Sequence, residues 1–548
     1  MLLIECNKIK KYYGNRLILD IENLKIYSQD RIGIVGVNGA GKTTLINILS
    51  HRVEPDEGIV KLYEKAEYIT QLIKSPDCKN ISSEMASKFG INTTWDEQMS
   101  GGEKTRFKLA SALDNESLIL FADEPTSNLD IEGIEIIEDK FYKYKGSLII
   151  ISHDRSFLDK LCNKILEIEN GKIKIYKGNY SEYKRQKIQE RDREKFEYEK
   201  YIHEKTRLEG VINESKQKGK SIKSSPKRMG NSEARLHKMG GQKAKASLER
   251  KVKNLEKRIE HLEVKEKPKE ETKINIDILD TNKLYSKIII EGKKINKRFG
   301  DKIIFKNAEF NIYNGAKIAL IGPNGCGKST LINMIINSDN PIKIAQGAKI
   351  GYFSQNMSIL NSNLSIIDNV MESSIYPENF ARLLLARLSF KGESIYKKVS
   401  ILSGGELVKV SFVKIFLQDI NLLILDEPTN YLDINSLEAI EESLKEYDKT
   451  LIIVSHDRKF INAIANQIMV IEDSKIKMFM GTYNEYLNKK DKGLNNRDEI
   501  QKQIIILENR LSAVIGKLSI KLKKEDLEIL DKEYYEIVGK LKNLKDTK

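Results

Sequence analysis

Short, unbroken apolar runs recur along this chain, and each stops at a characteristic polar signal. Arg31-Ile-Gly-Ile-Val35 and Lys317-Ile-Ala-Leu-Ile321 run into glycine-rich loops, each followed by an apolar helix. Leu118-Ile-Leu-Phe-Ala and Leu422-Leu-Ile-Leu run into Asp-Glu, while Ile149-Ile-Ile and Ile452-Ile-Val run into Ser-His. Such runs predict buried strands, and their mixture with helices predicts an α/β fold.

The pattern changes in two places. From residue 184 to about 285 charge dominates, with apolar positions at helical spacing. Tyr198, Tyr201, Leu208 and Ile212 form an imperfect seam before the Gly, Ser and Pro-containing loop Lys218–Asn231. Leu248, Val252, Leu255, Ile259 and Leu262 follow at spacings of four, three, four and three, a coiled-coil seam that Pro268 is expected to end. Two helices returning on each other are predicted, each roughly 35 to 50 Å long at about 1.5 Å per residue. After about Asn488, one seam (Ile504, Leu507, Leu511, Val514, Leu518) and another (Leu527, Leu530, Tyr534, Ile537, Leu541) predict a smaller hairpin turning at Lys521–Glu525.

The signals also repeat in register. Tyr13 to Lys42 and Phe299 to Lys328 are both 29 residues; Ser100 to Glu124 and Ser403 to Glu427 are both 24; Glu124 to His153 and Glu427 to His456 are both 29. Gly178-Asn-Tyr-Ser-Glu-Tyr183 recurs as Gly481-Thr-Tyr-Asn-Glu-Tyr486. A duplicated domain of about 180 to 200 residues is implied. One interval differs: Gln71 to Ser100 spans 29 residues and Gln355 to Ser403 spans 48, so the first copy has the shorter helical region. The expected division is 1–183 and 286–487 for the two copies, 184–285 for the linking hairpin and 488–548 for the terminal hairpin.

Of the 548 residues 31% are charged and 40% apolar, and no apolar run approaches the roughly 18 residues that span a bilayer. The N-terminus, Met1-Leu-Leu-Ile-Glu-Cys-Asn-Lys, lacks the parts of a signal peptide, so a cytoplasmic protein without a membrane anchor is expected. The cysteines Cys6, Cys78, Cys162 and Cys326 have no metal or redox spacing. The net charge of +14 is concentrated: residues 216–245 hold ten Lys or Arg (Lys216, Lys218, Lys220, Lys223, Lys227, Arg228, Arg235, Lys238, Lys243 and Lys245) and a single acid, Glu233. A polyanion partner is expected there. No aromatic residue lies in that stretch, which disfavours stacking on single strands and favours shape and phosphate recognition of folded RNA.

The two glycine-rich loops, Gly36-Val-Asn38-Gly39-Ala-Gly41-Lys42-Thr43-Thr44 and Gly322-Pro-Asn324-Gly325-Cys-Gly327-Lys328-Ser329-Thr330, are phosphate-binding loops. Their backbone N–H groups can wrap a triphosphate, Lys42 and Lys328 can reach its β and γ groups, and the Thr43 and Ser329 hydroxyls can hold Mg²⁺. Asp123 and Asp426, at strand ends, suit the metal's water shell; Glu124 and Glu427 suit activation of an attacking water. His153 and His456 can hydrogen-bond the γ-phosphate. Gln71 and Gln355 end strands near the metal and suit sensing that phosphate. Tyr13 and Phe299 suit stacking on adenine.

Each loop is followed by Ser-Gly-Gly-Glu, at Ser100-Gly101-Gly102 and Ser403-Gly404-Gly405. With the other motifs, this resembles the signature of ATP-binding cassette proteins over almost the whole chain. The resemblance implies two tandem cassettes that close head to tail. Lys42 and Glu124 would share one ATP with Ser403 and Gly405, and Lys328 and Glu427 the other with Ser100 and Gly102. Tandem cassettes joined by a basic-tipped helical linker resemble the ABC-F group. The tip Ser224–Gly241 looks like that of its antibiotic-resistance, ribosome-protecting members. Such a protein would act as a monomeric Mg²⁺-dependent ATPase on the bacterial 70S ribosome, entering the exit site against rRNA and P-site tRNA. It would displace drugs such as lincosamides, pleuromutilins and group A streptogramins. A role in translation regulation or rescue, or on branched DNA, is the alternative.

Overall fold

In the computed structural model the residues described are 1–70, 80–115, 117–127, 129–221, 231–267, 284, 286–354, 359–429, 432–490, 507, 511, 514 and 536–540; for 231–242 the backbone alone is described. The duplication read from spacing is visible as two copies of one α/β architecture.

Each copy centres on a six-stranded sheet. The first runs in the order Ala66–Ile69, Ile119–Asp123, Ser147–Ile151, Arg31–Val35, Lys164–Glu169, Lys172–Lys177; neighbours are parallel except the last pair, which is antiparallel. The second repeats this with Ile350–Phe353, Leu422–Asp426, Thr450–Val454, Lys317–Ile321, Gln467–Glu472 and Lys475–Met480. Strands Ile119–Asp123 and Ser147–Ile151 are buried at every residue, which is why their sequences are apolar without alternation. Leu118, expected within the strand, lies just outside it and is exposed. Beside each central sheet stands a three-stranded antiparallel one, built around Leu2–Tyr13 and Ile288–Phe299.

Side chains alternate between the faces of each central strand. Ile119, Phe121, Ile149 and Ile151 pack with Leu45, Ile46 and Leu49, while Leu120, Ala122, Leu148 and Ile150 pack with Phe107, Phe141 and Phe157. Each of those phenylalanines is fully buried and contributes roughly 2 to 3 kcal/mol. Parallel strands of this kind bring their carboxyl ends to one edge, where ligands bind in open α/β sheets.

The differing interval has a structural counterpart. Among the described residues, helices Ile366–Met371 and Glu378–Arg387 and two short 3₁₀ turns lie before the second signature, and one helix, Ser83–Phe89, before the first. The halves also exchange apolar residues. Ile434 packs into the first half's core and Ile131 against the second's.

The linker is a helical hairpin of Tyr180–Ser221 and Asn231–Glu260. Leu208, Ile212 and Val252 are buried in its seam, and Lys216–Glu256 at 2.8 Å and Arg258–Glu204 at 3.4 Å bridge it. The first helix departs from the expectation: at 42 residues it is about 63 Å long. Its start is pulled back to Tyr180 because Asn179 and Glu182 cap each other, and because Tyr180 and Tyr183 bury in the first half. Gly210 and Gly219 do not break it. The second helix stops at Glu260, ahead of Pro268, which lies outside the described residues. In the terminal region Leu507, Leu511, Val514 and 536–540 are helical, with Val514 and Ile537 buried; the rest of the expected hairpin is outside the described residues.

Candidate active site

The glycine loops turn directly from strand to helix. Gly39 and Gly41 take φ of 76° and 101°, and Gly325 and Gly327 take 73° and 111°, conformations in which a side chain is strained. Packing adds to the requirement: a Cβ on Gly41 would stand 2.9 Å from Ile18 Cγ2, and one on Gly327 2.4 Å from Ile304 Cγ2. The helices Lys42–Leu49 and Lys328–Ile336 thus begin with N–H groups open to an anion. Lys42 and Lys328 are buried and fold over the loops. Lys42 Nζ donates to Gly36 O at 2.8 Å, and Lys328 Nζ to Gly322 O at 2.7 Å. Burial pulls the Lys42 ammonium below its usual range.

The metal-side residues meet these loops. The Thr43 hydroxyl donates to Asp123 Oδ2 at 2.9 Å. Tyr68 and Tyr352 hydroxyls donate to Asp123 and Asp426 at 3.4 Å each. Burial raises both aspartates above the carboxylate range, so the site calls for a cation. A hard divalent ion held by a hydroxyl and a carboxylate with retained waters fits this oxygen set. Gln71 and Gln355 lie outside the described residues.

Glu124 and Glu427 are held in a left-handed backbone conformation, φ 51° and 50°, unusual for glutamate. Their N–H groups still bond the neighbouring strand, at Ile151 O and Val454 O, 2.9 Å each. The turn aims each carboxylate at a histidine: His153 Nε2 is 3.3 Å from Glu124 Oε1, and His456 Nε2 is 3.2 Å from Glu427 Oε1. Burial, reinforced by Asp123 and by Asp426, pushes Glu124 and Glu427 up to about 8. Burial and the nearby lysines press His153 down to about 3 and His456 to about 4, so both imidazoles are neutral at pH 7. In its ionised form, a carboxyl of raised basicity beside a neutral imidazole suits acceptance of a proton from water.

Ser100 and Ser403 each N-cap a helix in a capping box, with Glu103 and Glu406 returning to the serine N–H at 2.8 Å. Both signatures and both phosphate loops line one cavity of about 1780 Å³ between the halves. The pairing is crossed. Asp433 and Lys409, on the second half's signature side, act electrostatically on Lys42 and His153, while Asp130 of the first half acts on His456 and is itself influenced by Arg106 of its own half. Asp130 Oδ2 accepts from the Asn324 N–H at 2.9 Å, and Lys409 pairs with Asp433 at 2.9 Å.

Sequence reasoning missed Asp130, Asp433, Arg106, Lys409, Tyr68 and Tyr352. Leu129-Asp130 and Leu432-Asp433 each fall at the same distance past the catalytic-type glutamate, so the repeat itself held the signal. Tyr13 lines the cavity; Phe299 is exposed with Lys297 Nζ 5.7 Å from its ring centroid, and is not among the lining residues. Of the ten tip cations, Lys216, Lys218 and Lys220 close the first helix, Lys243 and Lys245 are exposed on the second, and Arg235 and Lys238 fall on its backbone. Lys223, Lys227 and Arg228 lie outside the described residues. Lys216 is already paired with Glu256.

Two α/β nucleotide folds with crossed signatures define a tandem ABC-type ATPase. A family profile described as ABC transporter matches residues 19–127 and 305–430, and an associated extension profile matches 166–277. The chain is 31% identical to the ribosome protection protein VmlR of Bacillus subtilis (strain 168), covering 95% of this chain and 94% of that one. It is 32% identical to the erythromycin resistance ATP-binding protein MsrA of Staphylococcus epidermidis, covering 85% and 96%, and 30% identical to ABC transporter F family member 5 of Arabidopsis thaliana, covering 89% and 77%. The fold is shared with the archaeal ribosome recycling factor aABCE1 in complex with stalk protein aP1, TM-score 0.60 at 20% identity over 88% of this chain and 92% of that one. The chain belongs to the ABC-F family of ATP-binding cassette proteins. No helix among the described residues is long and apolar enough to cross a membrane.

Proposed function

We propose that this protein is a cytoplasmic, monomeric ribosome-protection ATPase whose two halves, 1–183 and 286–487, close on two ATP molecules and thereby aim the hairpin 184–285. The observation that carries the ATP step is the crossed site, in which residues of one half act on the lysine and histidine of the other. Each triphosphate lies between a phosphate loop and the opposite Ser-Gly-Gly. Thr43 and Asp123, or Ser329 and Asp426, with Gln71 or Gln355, would hold Mg²⁺, which would offset the negative charge of the transferring phosphoryl group. Glu124 and Glu427 orient and deprotonate water, and neutral His153 and His456 donate to the γ-phosphate. Loss of that phosphate removes the bridge between the halves.

The hairpin's place in the chain, its reach of about 45 to 63 Å and its basic tip support RNA as what it meets. Likeness to a ribosome protection protein and an erythromycin resistance ATP-binding protein over most of their lengths supports the ribosome as partner and bound drugs as what is displaced. The resemblance of the tip to ribosome-protecting ABC-F members points to the 70S exit site, with rRNA and P-site tRNA as contacts. The test is a susceptibility panel in a sensitive bacterial host. Expression should raise tolerance to lincosamides, pleuromutilins and group A streptogramins, and a chain shortened across 221–239 should not. Unchanged tolerance to every ribosomal drug would leave translation regulation or rescue as the better reading, and retention on branched DNA after a salt wash would favour a repair role.

A further inference from the structure

Two residues past each site histidine, an arginine leaves its own half. Arg155 Nη2 donates to Glu441 Oε2 at 2.8 Å and stands 3.9 Å from Asp457 Oδ2. In mirror image, Arg458 Nη1 donates to Glu138 Oε2 at 3.3 Å and Nη2 to its other oxygen. Each arginine is the first residue of a helix capped by the preceding aspartate, so its backbone lies a few residues past the strand that leads to the histidine. The two ion pairs are buried, with side-chain exposure of 8% and 12% for Arg155 and Glu441, and 16% and 0% for Arg458 and Glu138. Out of water such a pair is costly unless its geometry is good, and the planar guanidinium fork holds a carboxylate in a defined orientation.

The positions of the glutamates give the pairs their meaning. Glu138 lies on the helix Ile131–Lys143, whose N-cap Asp130 reaches the Asn324 N–H of the second phosphate loop. Glu441 lies on Ile434–Glu446, whose N-cap Asp433 acts on Lys42 and His153 at the first. Eight residues of helix, about 12 Å, separate cap from glutamate in both cases. The half that provides Lys328, Glu427 and His456 therefore also provides the Arg458 that grips the helix completing its own site. The first half does the same through Arg155. Ile131 and Ile434, which bury across the interface at the heads of these helices, supply attraction without direction.

We propose that Arg155 and Arg458 are positioning residues: each sets, from across the interface, the helix whose capping aspartate completes the ATP site of the arginine's own half. Neither touches nucleotide, and both act through the pitch and rotation of the gripped helix. Closure of one site thus sets the wall of that same site in the opposite half. The inference concerns the ATP-driven step and stands whatever partner the hairpin meets.

The experiment is steady-state ATP turnover by the full chain carrying Arg155→Gln, Arg458→Gln, the conservative Arg458→Lys, and the exchanged pair Arg458→Glu with Glu138→Arg. Arg458→Gln and Arg155→Gln should each raise KM for ATP by about tenfold or more while lowering kcat by less than about threefold, because saturating nucleotide restores the geometry that the arginine otherwise holds. Arg458→Lys keeps the charge and loses the fork, so it should share the KM rise; the exchanged pair should recover most of it. An unchanged KM in the glutamine and lysine variants overturns the proposal. So does a fall in kcat and melting temperature with KM constant, which is what a purely structural ion pair would give. Should Arg458→Gln fail to fold, the lysine variant and the exchanged pair decide between the same two results.

Discussion

Asp130 of the first half accepts a hydrogen bond from the backbone N–H of Asn324 in the second phosphate loop, 2.9 Å across the interface, while its other oxygen caps its own helix through Gly133 at 3.0 Å. One carboxylate thus starts a helix and finishes the opposite site. Asn caps helices about as well as Asp, but it replaces one of the two accepting oxygens with a donor NH₂ that would face an N–H. Asp130→Asn should therefore leave the thermal midpoint within error and lower ATP turnover several-fold. Asp130→Ala should lower turnover and also cost about 1 kcal/mol of stability from the lost cap. Paired melting curves and ATPase assays check both.

Gly327 and Gly404 should respond oppositely to the same substitution. At Gly327 an alanine meets φ 111° and a Cβ 2.4 Å from Ile304 Cγ2, so Gly327→Ala should destabilise the second half by about 2 to 3 kcal/mol. At Gly404 a Cβ finds open space at the head of a helix, where alanine is the better helix former. Gly404→Ala should be as stable as the parent or more so. Its methyl faces the cavity shared with Lys42, so turnover should still fall. Chemical denaturation beside ATPase assays separates the two.

Turnover should depend on a divalent ion held at the oxygens of Thr43, Asp123, Ser329 and Asp426. Chelation should abolish hydrolysis, and Mg²⁺ should restore it. Thr43→Ala removes the hydroxyl that donates to Asp123 at 2.9 Å, so it should raise the Mg²⁺ concentration for half-maximal activity. A titration of Mg²⁺ against turnover reads this directly.

The basic tip should act independently of the motor. A chain shortened across 221–239 loses Lys223, Lys227, Arg228, Arg235 and Lys238 but keeps the buried seam residues Leu208, Ile212 and Val252. ATP turnover should stay near the parent value while RNA-dependent function is lost. The full chain's binding to structured RNA should weaken steeply with salt: if about five phosphates are neutralised, a fourfold rise in salt should weaken it by roughly two to three orders of magnitude. Loss of basal turnover on shortening would place the tip within the motor's own folding.

The strands, glycine loops and signature caps were legible because each rests on local sequence: an apolar run, a glycine that must take positive φ, a serine that caps. The crossing of the signatures was expected only from the family resemblance. Regular spacing then carried the duplication. What escaped depends on distance in the fold. Tyr68 reads as a strand aromatic until its hydroxyl meets Asp123, and Arg155 reads as an ordinary helix start until Glu441 arrives from 286 residues away. Asp130 and Asp433 are intermediate cases, visible as repeated caps but not as groups that cross the interface. The first hairpin helix was underestimated because its beginning is set by the Asn179–Glu182 cap and by tyrosines buried in the first half, not by the charged stretch that marks its length.

The central claim is that ATP between the two halves locks a shape that RNA recognises. The most direct measurement is sedimentation of Glu124→Gln with Glu427→Gln through a salt-washed cushion with 70S ribosomes. With Mg²⁺ and ATP the double variant should pellet with the particles, and without nucleotide it should remain in the supernatant. A double variant that binds ATP yet stays soluble in both conditions would contradict the account.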